Sequence, residues 1–565
     1  MQLSPGHVIC LLTCLLTDQL LDYAHHYADL PRTEAGIRRY RRAWDSASSS
    51  VWCRGLNYSA RTCVFRNLYY RGDTGDFVFL HGPGTTLLGD VNERNYPALT
   101  DLSSVKDHGA FYFTFVDLPV SALSQFRVVD VHTDTLVMSR FNPENLMHVF
   151  HDDLIPIFST LRELHSCSSS EEVLNCLGNV TLFLADEREK GPYWQLYKIL
   201  VRNQKILHRR QLTGWYRFRR AIVGLRKDST WYQYGFVTPQ GPLHANLETA
   251  GAEVQYFIPF FLHAFDVPAT SQTNEKYALI ISRTRNRLIT NIDELVLMVQ
   301  LHTRLTPLVI DFENKSLREV VVMLRNTKLL ISMHGSALIL SAFLQPGSAV
   351  LEMFPYGINP NNYTPYKTLA KLPGMMIAYA AWRNTNKNNT VFHPEYEPQF
   401  GGIYHLSQEA QQQILQSEEV PLHLCCDNPK WLFHIYQDTA VDTSIMPLLV
   451  NLSTYAVDTS DARQQTFFPG PVMELKCEIW QRCGNSKQLT VSWREPWNIA
   501  FIGFQHCHYE VWLKSSAEVE MFHTNLTVFD RHIAESVVQV WVKAMCDEQS
   551  GSFNVYPASC KGTTL

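Results

Sequence analysis

Hydrophobic and polar positions follow three different patterns along this chain. Between Tyr277 and Met353, short β-rich apolar runs alternate with segments of helical period. Tyr277 to Ser282 (YALIIS) predicts a strand, and Ile292 to Leu305 a helix with Asn291 as its N-cap and Glu294 three residues on. Leu308 to Asp311 (LVID) predicts the next strand. Ser316 to Arg325 predicts a helix opened by a Ser316/Glu319 capping box. Leu329 to Ser332 is then a strand running into His334-Gly335-Ser336 and an apolar helix to Leu344. Pro346-Gly347 turns the chain into the strand Ala349 to Met353. Strands separated by helices in this way predict a parallel, doubly wound sheet with right-handed connections.

The preceding region is mixed and less regular. Val180 to Ala185 and Ala221 to Leu225 read as buried strands, and Glu144 to Leu164 as a helix kinked at Pro156. In the last hundred residues the helical period disappears. Leu489 to Trp493, Tyr509 to Leu513, Asn525 to Phe529 and Val537 to Lys543 alternate polar with apolar or aromatic residues. Short strands at regular intervals predict a β-sandwich of immunoglobulin or fibronectin type III shape, with Trp493 and Trp541 in its core. The expected divisions are residues 1–39 as an N-terminal stem, 40–270 and 271–465 as two α/β lobes facing across a cleft, and 472–565 as the sandwich.

The length of 565 residues agrees with several domains. Hydrophobic residues at 45% and charged residues at 18% make the chain globular, and a net charge of −5 speaks against nucleic-acid binding. Of 13 cysteines, Cys10 and Cys14 lie in the apolar stretch Val8 to Thr17, and none forms a Cys-x-x-Cys zinc pair. Cys53 and Cys63 are close enough to bridge, as are Cys167 and Cys176. Cys477, Cys483, Cys507, Cys546 and Cys560 crowd the C-terminal module, where connectivity cannot be read from sequence. Asn-x-Ser/Thr sequons at Asn57, Asn179, Asn314, Asn362, Asn388, Asn451 and Asn525 add to an expectation of a lumenal or extracellular protein. The N-terminal apolar stretch suits either a signal-peptide core or a short membrane anchor.

Four groups of residues could carry chemistry. Asn145, His148 and Asp152 share one helix face, where His and Asp can act as a general base and its orienting carboxylate. A polar helix face or a buried hydrogen-bond network accounts for the same spacing. Arg140 stands just upstream. Arg283, Arg285 and Arg287 crowd the C-terminal end of the first parallel strand, the edge at which open α/β sheets bind ligands, and forked donors there suit a diphosphate. A solvated basic loop is the competing reading. His334-Gly335 joins a strand to a helix whose N–H groups attract phosphate. Glu352 interrupts an apolar strand, and a ribose hydroxyl or a protein donor would satisfy it. No metal-holding Asp-x-Asp stands at a strand end, so the arginines and the helix start are expected to neutralise a leaving nucleotide without metal.

The runs RFNPENLMHVFHDDLIPIF (140–158), STWYQYGFVTPQGP (229–242), SRTRNRLI (282–289), LISMHGSAL (330–338), LEMFPYGINPNNYTPYKTLAKLPGM (351–375) and HLCCDNPKWLFHIYQDT (423–439) resemble family 61 of the glycosyltransferases. The resemblance extends from about Val51 into the C-terminal module. It implies an α/β, two-lobed GT-B-type fold with a C-terminal fibronectin type III-like domain. It implies an endoplasmic-reticulum membrane protein of type II, anchored at its N-terminus with a lumenal catalytic part. The donor implied is UDP-N-acetylglucosamine (UDP-GlcNAc). The acceptor implied is O-linked mannose on α-dystroglycan, extended with inversion in β1,4 linkage.

The family motif maps onto Asn145, His148 and Asp152 as catalytic residues. Arg140, Arg283, Arg287, His334, Gly335 and Glu352 fall on the donor side. The motif does not choose the base; the residue chemistry favours His148, with Asp152 as orienter. The apolar N-terminal stretch is shorter than the family's anchor. Competing readings are another family 61 transferase, such as one acting on EGF-like domains, and a sugar-binding protein without catalysis. A homodimer is compatible with the sequence, which sets no oligomeric state.

Overall fold

The computed structural model describes residues 47–55, 61–82, 100–105, 111–164, 179–201, 205–235, 239–268, 276–424, 426–458, 469–481, 487–496, 499, 506–515, 519–533, 539–547, 549–551, 553 and 558–563. The N-terminal apolar stretch, Asn57, Cys167, Cys176 and Cys483 lie outside the described residues. The described residues fall into two compact units, one within Met1–Thr160 and Gly178–Asn246, the other within Leu161–Leu177 and Leu247–Leu565.

The first unit is built on a mixed sheet. Its strands run in the order Phe115–Pro119, Asp76–His81, Thr62–Arg71, Trp215–Val223, Asp134–Met138, Val180–Leu184 and Ile206–His208. The three last-named strands pair in parallel, and Thr62–Arg71 pairs antiparallel with both of its neighbours in that order. Phe65, Tyr70, Phe77, Phe113 and Phe183 form an aromatic core on one face. A disulfide joins Cys53 to Cys63 across a strand pair in register, as their spacing suggested. The segment expected as one helix from Glu144 to Leu164 with a kink at Pro156 carries its irregularity just before that proline. An α-turn at Leu146–His148 passes into a π-helical turn at Val149–Leu154 and then into the α-helix Ile155–Leu164. Pro156 follows this π turn directly in a continuous helical run, where it lacks the N–H that would reach the Asp152 carbonyl; the Ser104 hydroxyl donates to that carbonyl instead.

The second unit contains a parallel sheet in the order Thr306–Asp311, Tyr277–Ser282, Thr327–Met333, Ala349–Phe354, Ala378–Arg383. Numbered along the chain, this order is 2-1-3-4-5, a doubly wound arrangement whose direction reverses between the first and third strands. All six residues of Ala349–Phe354 are buried, as a strand covered on both faces requires. The capping box at Ser316 and Glu319 is present, and the helix Leu317–Arg325 follows it. Asn291 precedes the helix Ile292–His302 but does not cap it: its amide donates to Glu294 and to the Val441 carbonyl. The apolar helix after Gly335 is a 3-10 helix, Ser336–Phe343.

The helix Leu247–Ala264 groups with this second unit, although residues up to 270 were expected in the first lobe. The reason is packing: Phe261 lies 5.0 Å from Phe343 between ring centroids, and Gln255 donates to the Pro373 carbonyl.

The C-terminal module consists of two sheets around a shared core that includes Val491, Trp493, Tyr509, Val511, Val540 and Val542. Trp493 packs edge-on against Tyr509. Trp541 does not join that core. It is half-buried on the outer face, paired across the strands with Trp512, because Val540 and Val542 take the inward positions on either side. Asn525 lies in the turn before the strand Val528–Ile533, not within a strand. Disulfides Cys477–Cys560 and Cys507–Cys546 supply the connectivity that the sequence left open.

Candidate functional site

The second unit brings the arginine motif and the His-Gly turn together. Arg283 and Arg287 follow the first parallel strand, and His334 and Gly335 follow the third, so both motifs stand at the C-terminal ends that flank the switch point. A Cβ on Gly335 would lie 3.1 Å from Nη1 of Arg283 and 3.2 Å from Nη1 of Arg287. Two guanidinium groups therefore converge on the Gly335 backbone, and any larger residue would have to push them aside.

Neutral groups meet both cations. Arg283 donates from Nε to the Asn286 carbonyl (2.9 Å) and from Nη2 to the Asn286 side chain (3.1 Å). Arg287 donates from Nη1 to the His334 carbonyl (2.7 Å), and its guanidinium lies 4.9 Å from the Tyr436 ring centre. Among the described residues no carboxylate forms an ion pair with Arg287. Desolvation pushes the Arg287 pKa below its ordinary value, so its charge is underserved where it stands. Arg287 also has φ 55°, a left-handed conformation that a non-glycine residue adopts only when its surroundings enforce it. The enforcing contacts come from residues 436–438: the Tyr436 carbonyl accepts from Arg287 N, and Asp438 accepts from Leu288 N at 2.8 Å. His393 faces the other oxygen of Asp438 at 2.8 Å. Tyr436 and Asp438 belong to the HIYQDT run, and no spacing rule would have paired them with a loop 150 residues earlier.

Glu352 is buried at 0% exposure, and both its oxygens are engaged, by His334 Nδ1 (2.5 Å) and by the Tyr379 hydroxyl (2.5 Å). The protein donors satisfy it, so a ribose contact gives way to an orienting role: Glu352 fixes the His334 ring and turns Nε2 away from the carboxylate.

The first unit holds the helix motif. Asn145 is the N-cap, its side chain accepting from Met147 N at 3.0 Å, which accounts for its presence without chemistry. His148 and Asp152 meet, Nδ1 to Oδ2, at 2.6 Å. His148 keeps 7% exposure against 1% for Asp152, so the histidine is the member that an acceptor can approach. With Nδ1–H donating to the carboxylate, the basic lone pair is on Nε2, the arrangement a general base needs. Asp152 also bonds to His151 and accepts from the Tyr234 hydroxyl at 3.1 Å. The Ser104 hydroxyl braces the π turn by donating to the Asp152 carbonyl. Such turns inside α-helices are frequent at functional sites. Neighbouring Asp153 plays a different part. Burial raises its pKa well above the ordinary value, and Tyr197 donates to it at 2.5 Å.

Arg140, expected on the donor side, is corrected by its surroundings. It is 0% exposed and forms a two-pronged pair with Asp186 through Nε (3.1 Å) and Nη2 (2.8 Å). The carbonyls of Arg188 and Lys190 take further donors. Burial works against its charge, yet the hydrogen bonds and charge of Asp186 hold its pKa above the usual value. A guanidinium so enclosed cannot reach a nucleotide; it braces the strand end that leads into the His148 helix. Of the sequons, Asn179, Asn314, Asn388, Asn451 and Asn525 are exposed and Asn362 is half-buried. No helix among the described residues is long and apolar enough to cross a membrane.

Residues 23–351 match the family model Glycosyltransferase 61. Protein O-linked-mannose beta-1,4-N-acetylglucosaminyltransferase 2 from Mus musculus is 41% identical over 508 residues, 87% of this chain and 85% of that protein. The proteins of the same name from Homo sapiens and Xenopus tropicalis are 42% and 38% identical, covering 82% and 91% of this chain and 80% and 88% of theirs. By its match to the family model and its identity to these relatives, the chain belongs to glycosyltransferase family 61.

Proposed function

We propose that this glycosyltransferase moves N-acetylglucosamine from UDP-GlcNAc to O-linked mannose on α-dystroglycan, inverting the anomeric carbon to give a β1,4 linkage. The donor and acceptor sugars follow the name shared by its relatives. The observation that carries the reading is the convergence of Arg283 and Arg287 on Gly335 at the switch point, a cationic seat in which, among the described residues, no carboxylate pairs with Arg287. A pyrophosphate would supply the missing charge, and Gly335 would let it approach the backbone.

In this reading the acceptor hydroxyl attacks the anomeric carbon as the bond to UDP breaks. His148 Nε2 takes the hydroxyl proton, and Asp152 steadies the imidazolium that results. The two arginines neutralise the charge that grows on the leaving UDP. The finer architecture proposed is a GT-B-type pair of lobes with a fibronectin type III-like module, and the proposed location is the endoplasmic-reticulum lumen behind an N-terminal anchor. The exposed sequons support that location.

Arg283→Ala tests the donor seat. Loss of a charge-assisted bond worth about 1.5–3 kcal/mol should weaken UDP binding at least about tenfold by calorimetric titration. A folded variant with wild-type UDP affinity would overturn the assignment. A second test addresses metal. Because arginines can supply the positive charge, transfer is expected to survive excess EDTA. Complete loss on chelation, restored by manganese or magnesium, would require a metal that this reading lacks.

A further inference from the structure

We infer that His151 is a positioning residue for His148, acting through the carboxylate they share; the inference rests on the reading of His148 as base. His151 is 0% exposed, so no substrate touches it. The N–H groups of Trp231 and Tyr232 donate to its Nε2, at 3.0 and 3.3 Å. A ring nitrogen that accepts from two backbone donors is unprotonated, so the proton of neutral His151 is on Nδ1. Nδ1 faces Asp152 Oδ1, and the hydrogen bond runs from histidine to carboxylate. The Tyr234 hydroxyl closes the triangle, 2.8 Å from His151 Nδ1 and 3.1 Å from Asp152 Oδ1.

The backbone at 231–232 thus fixes a tautomer, and that tautomer fixes the carboxylate. Oδ1 is claimed by His151 and Tyr234, and Oδ2 is left to His148. Two consequences follow. The carboxylate cannot rotate, so His148 keeps its proton on Nδ1 and its lone pair on Nε2. Asp152 also divides its acceptor oxygens between His148 on one side and His151 and Tyr234 on the other. Among the described residues, the rings of Phe141 and Trp231 also face this cluster. Beyond Asp152 stand Asp153 with Tyr197, and Arg140 with Asp186.

His151→Gln keeps an acceptor for the backbone N–H groups but removes the donor to Asp152. His151→Asn places a donor where Nδ1 was. Tyr234→Phe removes only the hydroxyl. The test is the pH profile of kcat/KM for the full chain, with UDP-GlcNAc and an O-mannosyl peptide, beside UDP affinity and melting temperature. With Asp152 less shared, His148 holds its proton more tightly, and the acid limb should move up by roughly one pH unit in His151→Gln. UDP affinity should hold. His151→Asn should bring the limb back toward wild type. Tyr234→Phe should move it in the same direction as His151→Gln by less, and carries the test if His151→Gln does not fold.

A lower rate with an unmoved acid limb in both His151→Gln and Tyr234→Phe would overturn the inference and leave His151 as packing. The base assignment fails separately: it falls if His148→Ala transfers at the wild-type rate, whatever the limb does.

Discussion

Transfer by His148→Ala is expected to drop by about two to four orders of magnitude, the usual contribution of a positioned general base. UDP affinity should not change, because the proposed seat for UDP is built from residues of the other compact unit. Asp152→Asn should be impaired as well, since an amide can donate to His148 Nδ1 and favour the wrong tautomer. Its loss should be smaller if the imidazole still reaches the acceptor. Single-turnover rates with an O-mannosyl peptide, beside calorimetric UDP binding, separate the outcomes. An active His148→Ala beside a dead Asp152→Asn would exchange the two roles. Full activity in both would make the cluster a structural network and place the base elsewhere.

Arg140→Ala is expected to cost about 3–5 kcal/mol of stability, the range for removing one partner of a buried ion pair. Asp186, at 6% exposure, would be left charged and without its two-pronged donor. The carbonyls of Arg188 and Lys190 would lose a donor too. Lysine should rescue little, because one ammonium cannot reproduce the fork that meets both carboxylate oxygens. Chemical denaturation of the purified protein measures this. A variant of wild-type stability with weakened UDP binding would restore Arg140 to the donor side.

Arg140 and Arg287 show where reading the chain stops. Both are arginines that follow a buried strand, in the runs RFNPENLMHVFHDDLIPIF and SRTRNRLI. One is neutralised by Asp186, 46 residues away in sequence, and the other has no carboxylate among the described residues. No local pattern separates them. Glu352 behaves alike: the strand pattern marks it as costly to bury, but its partner Tyr379 is brought alongside by the neighbouring parallel strand. Trp541 is a different case. Its parity with Gln539 and Lys543 in the run VQVWVK places it outward, a local signal that its aromatic character obscures.

Local rules sufficed wherever the determining interaction spans a few residues. The strands Tyr277–Ser282 and Ala349–Phe354 follow from runs of apolar β-formers, and the Ser316/Glu319 capping box needs partners only three residues apart. The position of the Arg283/Arg287 and His334/Gly335 motifs after strand ends follows from the same alternation of strand and helix. The tertiary structure decided the rest, because the free energy of a buried charge or imidazole depends on groups that only the fold brings near. It set the 2-1-3-4-5 order that joins Arg283 and Arg287 to Gly335. It assigned His151, through backbone donors 80 residues on, to hold the carboxylate that faces His148.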